Sequence, residues 1–267
     1  LMRVGLAALV FLPFLRTRGQ SPRTIVLYML VGAMQLGIMY LLAFRAYLYL
    51  TVSEFLLFTV FTPLYITLIY DLLSGRKLRW GYLLSAALAV LGAAIIRYDK
   101  VSDHFWTGLL LVQLSNLCFA IGMVGYKRLM EVRPMPQHNA FAWFYVGAFI
   151  VAVAAWFMLG NAQKLPTTTL QWSVLVWLGV VASGLGYFMW NYGATQVDAG
   201  TLGIMNNVHV PAGLLVNLAI WQEQPHWPSF ISGALVILAS LWVHRRWVAP
   251  HSGQTADDRR RGSAQSE

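Results

Sequence analysis

Charge is what this sequence has least of. Only 11% of its 267 residues are charged, 19 Lys or Arg beside 10 Asp or Glu. A soluble domain carries about 25%, because its whole surface must be wetted. That excludes a soluble enzyme, a disordered chain and a nucleic-acid-binding module. Cysteine is nearly as scarce. Cys118 stands alone, which rules out an intrachain disulfide and a zinc site built on cysteines. The six histidines show no ligand spacing, so no metal is expected. No Gly-rich loop ending in Lys-Ser/Thr cradles a phosphate, so ATP-driven work within this chain is excluded, and no cofactor is expected.

What is there is apolar: 58% hydrophobic residues and a mean hydropathy of +0.59. At ~1.5 Å per residue, about 20 apolar residues cross a ~30 Å hydrocarbon layer. Nine runs approach that length: 1–15, 24–44, 49–72, 80–96, 106–126, 140–159, 170–192, 200–221 and 228–248. Turn formers separate them, most clearly Ser21-Pro22, Ser74-Gly75, Pro134-Met135-Pro136 and Gly160-Asn161. The expected fold is all-α, a polytopic helix bundle in a lipid bilayer. Residues 249–267 are polar and basic and read as a disordered cytoplasmic tail. The first run is short, contains Arg3 and has no initiator methionine. Arg16 and Arg18 follow it and no small-residue cleavage site does, so it does not read as a signal peptide. The expectation is a sequence that begins inside its protein, one helix short.

A net charge of +9 suggests nucleic acid only if the basic residues form one face of a soluble domain. Here they alternate between loops. If the first loop is cytoplasmic, that side holds Arg16, Arg18, Arg23, Arg76, Lys77, Arg79, Lys127, Arg128, Arg133, Arg245, Arg246, Arg259, Arg260 and Arg261, 14 of the 19. The other side keeps Arg3, Arg45, Arg97, Lys100 and Lys164. Basic residues in cytoplasmic loops set orientation. The C-terminus is therefore expected in the cytoplasm, the bilayer is expected to be the inner (plasma) membrane, and no nucleic-acid partner is expected.

Residues 147 apart match. Gly32 pairs with Gly179, Gly37 with Gly184, Tyr40 with Tyr187 and Trp80 with Trp227; after a one-residue slip, Ala46 pairs with Ala194 and Pro63 with Pro211. The second, third and fourth runs thus repeat as the seventh, eighth and ninth. The unit is five helices: residues 1–98 show four of them, and 105–248 show five. An odd number of crossings inserts the second copy upside down. Inverted repeats with a site between them at mid-membrane recur in secondary transporters.

These residues resemble the drug/metabolite transporter superfamily, in particular its EamA-type ten-helix members. The resembling stretches are 36–96 and 177–243. The second carries Leu185-Gly186-Tyr187-Phe188-Met189-Trp190-Asn191-Tyr192, then Pro211, then Glu223. The first carries Gly37, Tyr40, Ala43 and Pro63, but has Ser74-Gly75-Arg76-Lys77-Leu78 where the family has a glutamate. The family's first helix, with its Trp-Gly pair, is absent. The resemblance implies small-solute transport across the inner membrane, by uptake or efflux. Its branches include carboxylate, amino-acid and amine transporters and biotin-type vitamin transporters.

Ionisable and polar groups inside a membrane face a cavity or a partner. Glu54, in the third run, reads either as a proton or cation site or as a salt-bridge partner of Arg45 or Arg3. The eighth run carries Asn206, Asn207, His209, Pro211 and Asn217. Asn206 and His209, three apart, share a helix face. Pro211 offers no N–H to residue 207 and frees a carbonyl there. Together these make a candidate site for a polar head group; the alternative is hydrogen bonding that only joins helices. His209 titrates near neutrality when unperturbed, so H+ is a candidate coupling ion. Tyr40, Tyr187, Trp190, Asn191, Gln35, Gln113 and Asn116 are further cavity-lining candidates, against lipid or interface anchoring for the aromatics. Pro63 and Pro211 are expected to kink their helices. Gly32, Gly37, Gly179, Gly184 and Gly186 allow close helix approach.

The expected function is secondary transport of a small organic solute by alternating access, by a monomer or dimer. The substrate class is an amino acid, amine, carboxylate or vitamin-like metabolite. The competing readings are a non-transporting membrane subunit or receptor, which needs no polar cavity, and an intramembrane enzyme. The enzyme would need paired aspartates, a His-Glu-x-x-His motif or a serine with a base, and none is present.

Overall fold

The computed structural model describes residues 1–50, 52–75, 105–160, 165–221 and 227–243, with Trp80, Leu84, Ala87, Leu88, Leu91 and Arg246. Most of the 80–96 run, the basic loop 76–79, Glu223, the tail 249–267 and the side chain of Asn217 lie outside the described residues.

Among the described residues there are ten helices and no strand: α1 Met2–Phe11, α2 Pro22–Ala46, α3 Val52–Thr59, α4 Thr62–Leu73, α5 Phe105–Val132, α6 Gln137–Leu159, α7 Thr169–Ala194, α8 Ala199–Asn206, α9 His209–Trp221 and α10 Trp227–Val243. Local chemistry sets their ends. Pro13 turns the end of α1 into a 3-10 segment, Leu12–Phe14. Pro22 opens α2, where a missing N–H costs nothing. A reciprocal cap opens α7: the Gln171 amide N–H donates to Thr168 Oγ1, and the Thr168 N–H donates to Gln171 Oε1. Asp198 caps α8, accepting from the N–H groups of Gly200 at 2.9 Å and Thr201 at 3.1 Å. Helices α2, α5 (from Trp106), α6 and α7 are long and apolar enough to cross a membrane.

Two expectations of continuous helix are corrected. The 49–72 run breaks at Val60 and Phe61, between α3 and α4. The 200–221 run breaks at Asn207 and Val208, between α8 and α9. Proline is the physical reason in both. Pro63 is in the first turn of α4, and Pro211 is in the first turn of α9. Neither can donate to the carbonyl four residues back. A side chain bonds a backbone carbonyl at each break, the one that Pro63 leaves free at the first and the one before that left free by Pro211 at the second. Thr62 Oγ1 donates to the Thr59 carbonyl at 2.6 Å, and His209 Nδ1 donates to the Asn206 carbonyl at 2.5 Å. These two bonds lie 147 residues apart, within one residue of the places that the sequence match pairs.

The helices α2 and α7 show a second equivalence. Each contains a π-helical stretch, Ala33–Ile38 in α2 and Leu178–Gly186 in α7. Such stretches cluster at functional sites.

The chain forms two compact units. One holds α1, α2, α5, α6 and α7; the other holds α3, α4, α8, α9 and α10. Each therefore draws helices from both halves of the sequence. In the first unit, α2 packs on α6, and α1 packs on the π stretch of α7. Gly32 makes the α2–α6 contact possible: a Cβ there would collide with the Phe144 carbonyl. Gly147 does the same against the Met29 carbonyl. The core is aromatic. Phe141 stacks on Phe144 with ring centroids 4.6 Å apart, and Phe11 lies 5.4 Å from Phe141. In the second unit the core gathers at the helix breaks, with Val60, Ile204 and Ile237 buried together and Val208 packed against them.

Candidate functional site

In the second unit, the Asn207 amide donates to the Val60 carbonyl at 3.0 Å, across 147 residues. The two breaks thus meet within one residue of the positions that the sequence match pairs. Asn207 is fully buried. Gly203 sits against Pro63, where a Cβ would stand 3.2 Å from the proline carbonyl. His209 is exposed, with its Nε2 3.5 Å from Thr59 Oγ1. Because a carbonyl oxygen only accepts, the bond to Asn206 puts a hydrogen on Nδ1 of His209. Asn206 and His209 do not share one continuous helix; the break falls between them, and it is the Asn206 backbone that meets the imidazole. Glu54 is buried in the first turn of α3.

In the first unit, Tyr40 and Tyr187, also 147 apart, meet edge to face at 6.4 Å. The Tyr40 hydroxyl lies 3.1 Å from Ser183 Oγ. Ser183 is fully buried on the π stretch of α7, and the Tyr145 hydroxyl donates to its carbonyl and, at 3.3 Å, to that of Gly184. Arg3 reaches the same place: its Nε donates to Ser183 Oγ at 2.5 Å, and its guanidinium lies 4.8 Å from the centre of the Tyr40 ring. A cavity of about 350 Å³ opens beside Arg3 and Tyr40, walled by Leu36, Phe44, Ala152 and Trp156 among others.

The other candidates spread through this unit. Gln35 is fully buried on the π stretch of α2, and neither polar atom of its amide has a hydrogen-bond partner among the described residues. Asn191 donates to the Tyr187 carbonyl at 3.0 Å within its own helix, and its side-chain oxygen is buried without a hydrogen-bond partner there. Buried polar atoms are nearly always satisfied, so both mark places suited to a polar guest. Asn116 donates to Gln113 Oε1 at 3.4 Å. Trp190 spends its indole N–H on the Met123 sulfur, 3.0 Å away. Sequence reasoning passed over Ser183 and Tyr145, and weighed Arg3 as an orientation charge and as a salt-bridge partner of Glu54. The available signal for a site was an arginine inside an apolar run.

The pattern of the EamA-like transporter family matches residues 106–245. A curated relative from Escherichia coli, named biotin transporter, is 83% identical over 267 residues, covering 100% of this chain and 89% of its own length. One from Pseudomonas aeruginosa, named probable biotin transporter, is 53% identical over 247 residues, 92% of this chain and 86% of its own length. A solved crystal structure 18% identical in sequence superposes with a TM-score of 0.72 over 91% of this chain and 84% of its own. That last likeness shows the fold alone. A multi-pass helical membrane fold, a family pattern over more than half the chain and this full-length similarity lead to one conclusion: the chain belongs to the EamA-like transporter family.

Proposed function

We propose that the chain is a secondary transporter that carries biotin across the inner membrane by alternating access, with its C-terminus in the cytoplasm. The observation that carries this reading is 83% identity over the whole chain to a protein named biotin transporter. The geometry supports the mechanism. Two inverted repeats, 1–98 and 105–248, would place equivalent residues against each other along their two-fold axis; Tyr40 with Tyr187 is such a pair, and Val60 with Asn207 falls within one residue of one. Broken helices with free backbone groups near mid-membrane are a recurrent way to hold a polar substrate. On this reading each unit offers polar groups of its own: Asn206, Asn207, His209 and Glu54 lie in the second. Gln35, Tyr40, Gln113, Asn116, Tyr187, Trp190 and Asn191 lie in the first.

The test is uptake of radiolabelled biotin by cells lacking their own biotin transport and expressing the full chain. Saturable uptake, competed by unlabelled biotin and lowered by His209→Ala at equal membrane expression, is expected. Uptake no greater than in cells carrying an empty vector overturns the reading. A protonophore is expected to collapse uptake; an unchanged rate removes H+ as the coupling ion.

A further inference from the structure

Arg3 is an arginine in the first turn of the apolar helix α1. At ~1.5 Å per residue, the turns between it and the charged pair Arg16 and Arg18 span about 20 Å of a ~30 Å layer. A cation there is costly and marks a function by default. Its surroundings are built rather than incidental. Nε is committed to Ser183 Oγ, and the Tyr40 ring lies under the guanidinium. Ser183 is itself fixed, since the Tyr145 hydroxyl holds its carbonyl and the Tyr40 hydroxyl lies 3.1 Å from its Oγ. Among the described residues, Arg3 has no carboxylate partner, and its two terminal nitrogens make no hydrogen bond. A guanidinium anchored through Nε presents those nitrogens as a fork that fits a carboxylate with two parallel bonds. The cavity beside it holds about 350 Å³ and is walled by Leu1, the first residue of this sequence, and by Leu36, Phe44, Ala152 and Trp156 among others. It suits one anionic group on an apolar body.

We propose that Arg3, positioned by Ser183 and Tyr40, receives the carboxylate of the transported molecule in this cavity. This rests on the reading of the chain as a biotin transporter, and biotin carries one carboxylate on a hydrocarbon arm. The charge selects acids over their neutral analogues, because only a carboxylate compensates a guanidinium away from water.

The test compares biotin with biotinamide, which keeps the ring and arm but has no charge, as competitors of radiolabelled biotin uptake in cells expressing the full chain. In the wild type, biotinamide should compete about tenfold to a hundredfold more weakly, the worth of one charge-assisted hydrogen bond. In Arg3→Gln, the KM for biotin should rise by a similar factor and the preference over biotinamide should vanish; Arg3→Lys should retain part of it. A merely structural Arg3 would lower the amount of working transporter and leave the preference intact, and that result overturns the proposal. Equal competition by the two compounds in the wild type also overturns it, and that measurement needs no variant to fold. Absence of biotin uptake in the wild type overturns the transport reading, and this inference with it.

Discussion

A single amide in the second unit shows how much one polar contact can carry in a chain so poor in charge. Asn207 is buried at the break between α8 and α9 and donates to Val60, whose backbone lies at the other break. Removing the donor leaves a buried carbonyl without that bond, and such a loss costs about 1–3 kcal/mol. Asn207→Ala should therefore melt below the wild type in detergent while still reaching the membrane; an unchanged melting temperature would show that Val60 finds another donor. Sequence reasoning identified Asn207 as polar and mid-membrane, but not its partner, 147 residues away. Arg3 was harder to read. Its hydrogen-bond partner Ser183 is 180 residues distant, and from spacing alone an arginine near the edge of an apolar run looks like a topology charge.

Among the helices, matches 147 or 148 residues apart fall where the backbone departs from regular α-helix. The match of Gly32 with Gly179 and of Pro63 with Pro211 identified the paired runs from sequence. It did not show that α2 and α7 both pass through a π stretch, or that α3–α4 and α8–α9 are broken helices rather than kinked ones. Apolar periodicity is insensitive to either, because a break of two residues inside 22 apolar ones leaves hydropathy unchanged. Glycine at a crossing is more legible. Gly32 lies against the Phe144 carbonyl, whereas a Cβ on Gly193 would meet nothing within 4 Å. Gly32→Ala must therefore push α2 from α6, and overpacking of this kind costs about 1–3 kcal/mol. Thermal melts of the two purified variants check this: Gly32→Ala should fall several degrees while Gly193→Ala stays within error, and equal melts would show that α2 and α6 adjust freely.

For the whole molecule, the alternation of basic loops makes a prediction independent of any side-chain contact. A green fluorescent reporter fused after residue 248 should fluoresce, and alkaline phosphatase at the same place should be inactive; an active phosphatase would invert the topology. The sequence by itself determined that the chain is a helical membrane protein and how its runs are spaced, and it supplied the matches about 147 residues apart and the charge pattern that this fusion tests. These follow from the transfer of side chains into lipid and from charges left in loops, both of which add up locally along the chain. Only the tertiary structure decided that the two sequence halves interleave into compact units, that the breaks meet through Asn207 and Val60, and that Arg3, Ser183 and Tyr40 share a cavity. Those depend on short distances between residues more than a hundred positions apart, which composition and periodicity along the chain do not encode.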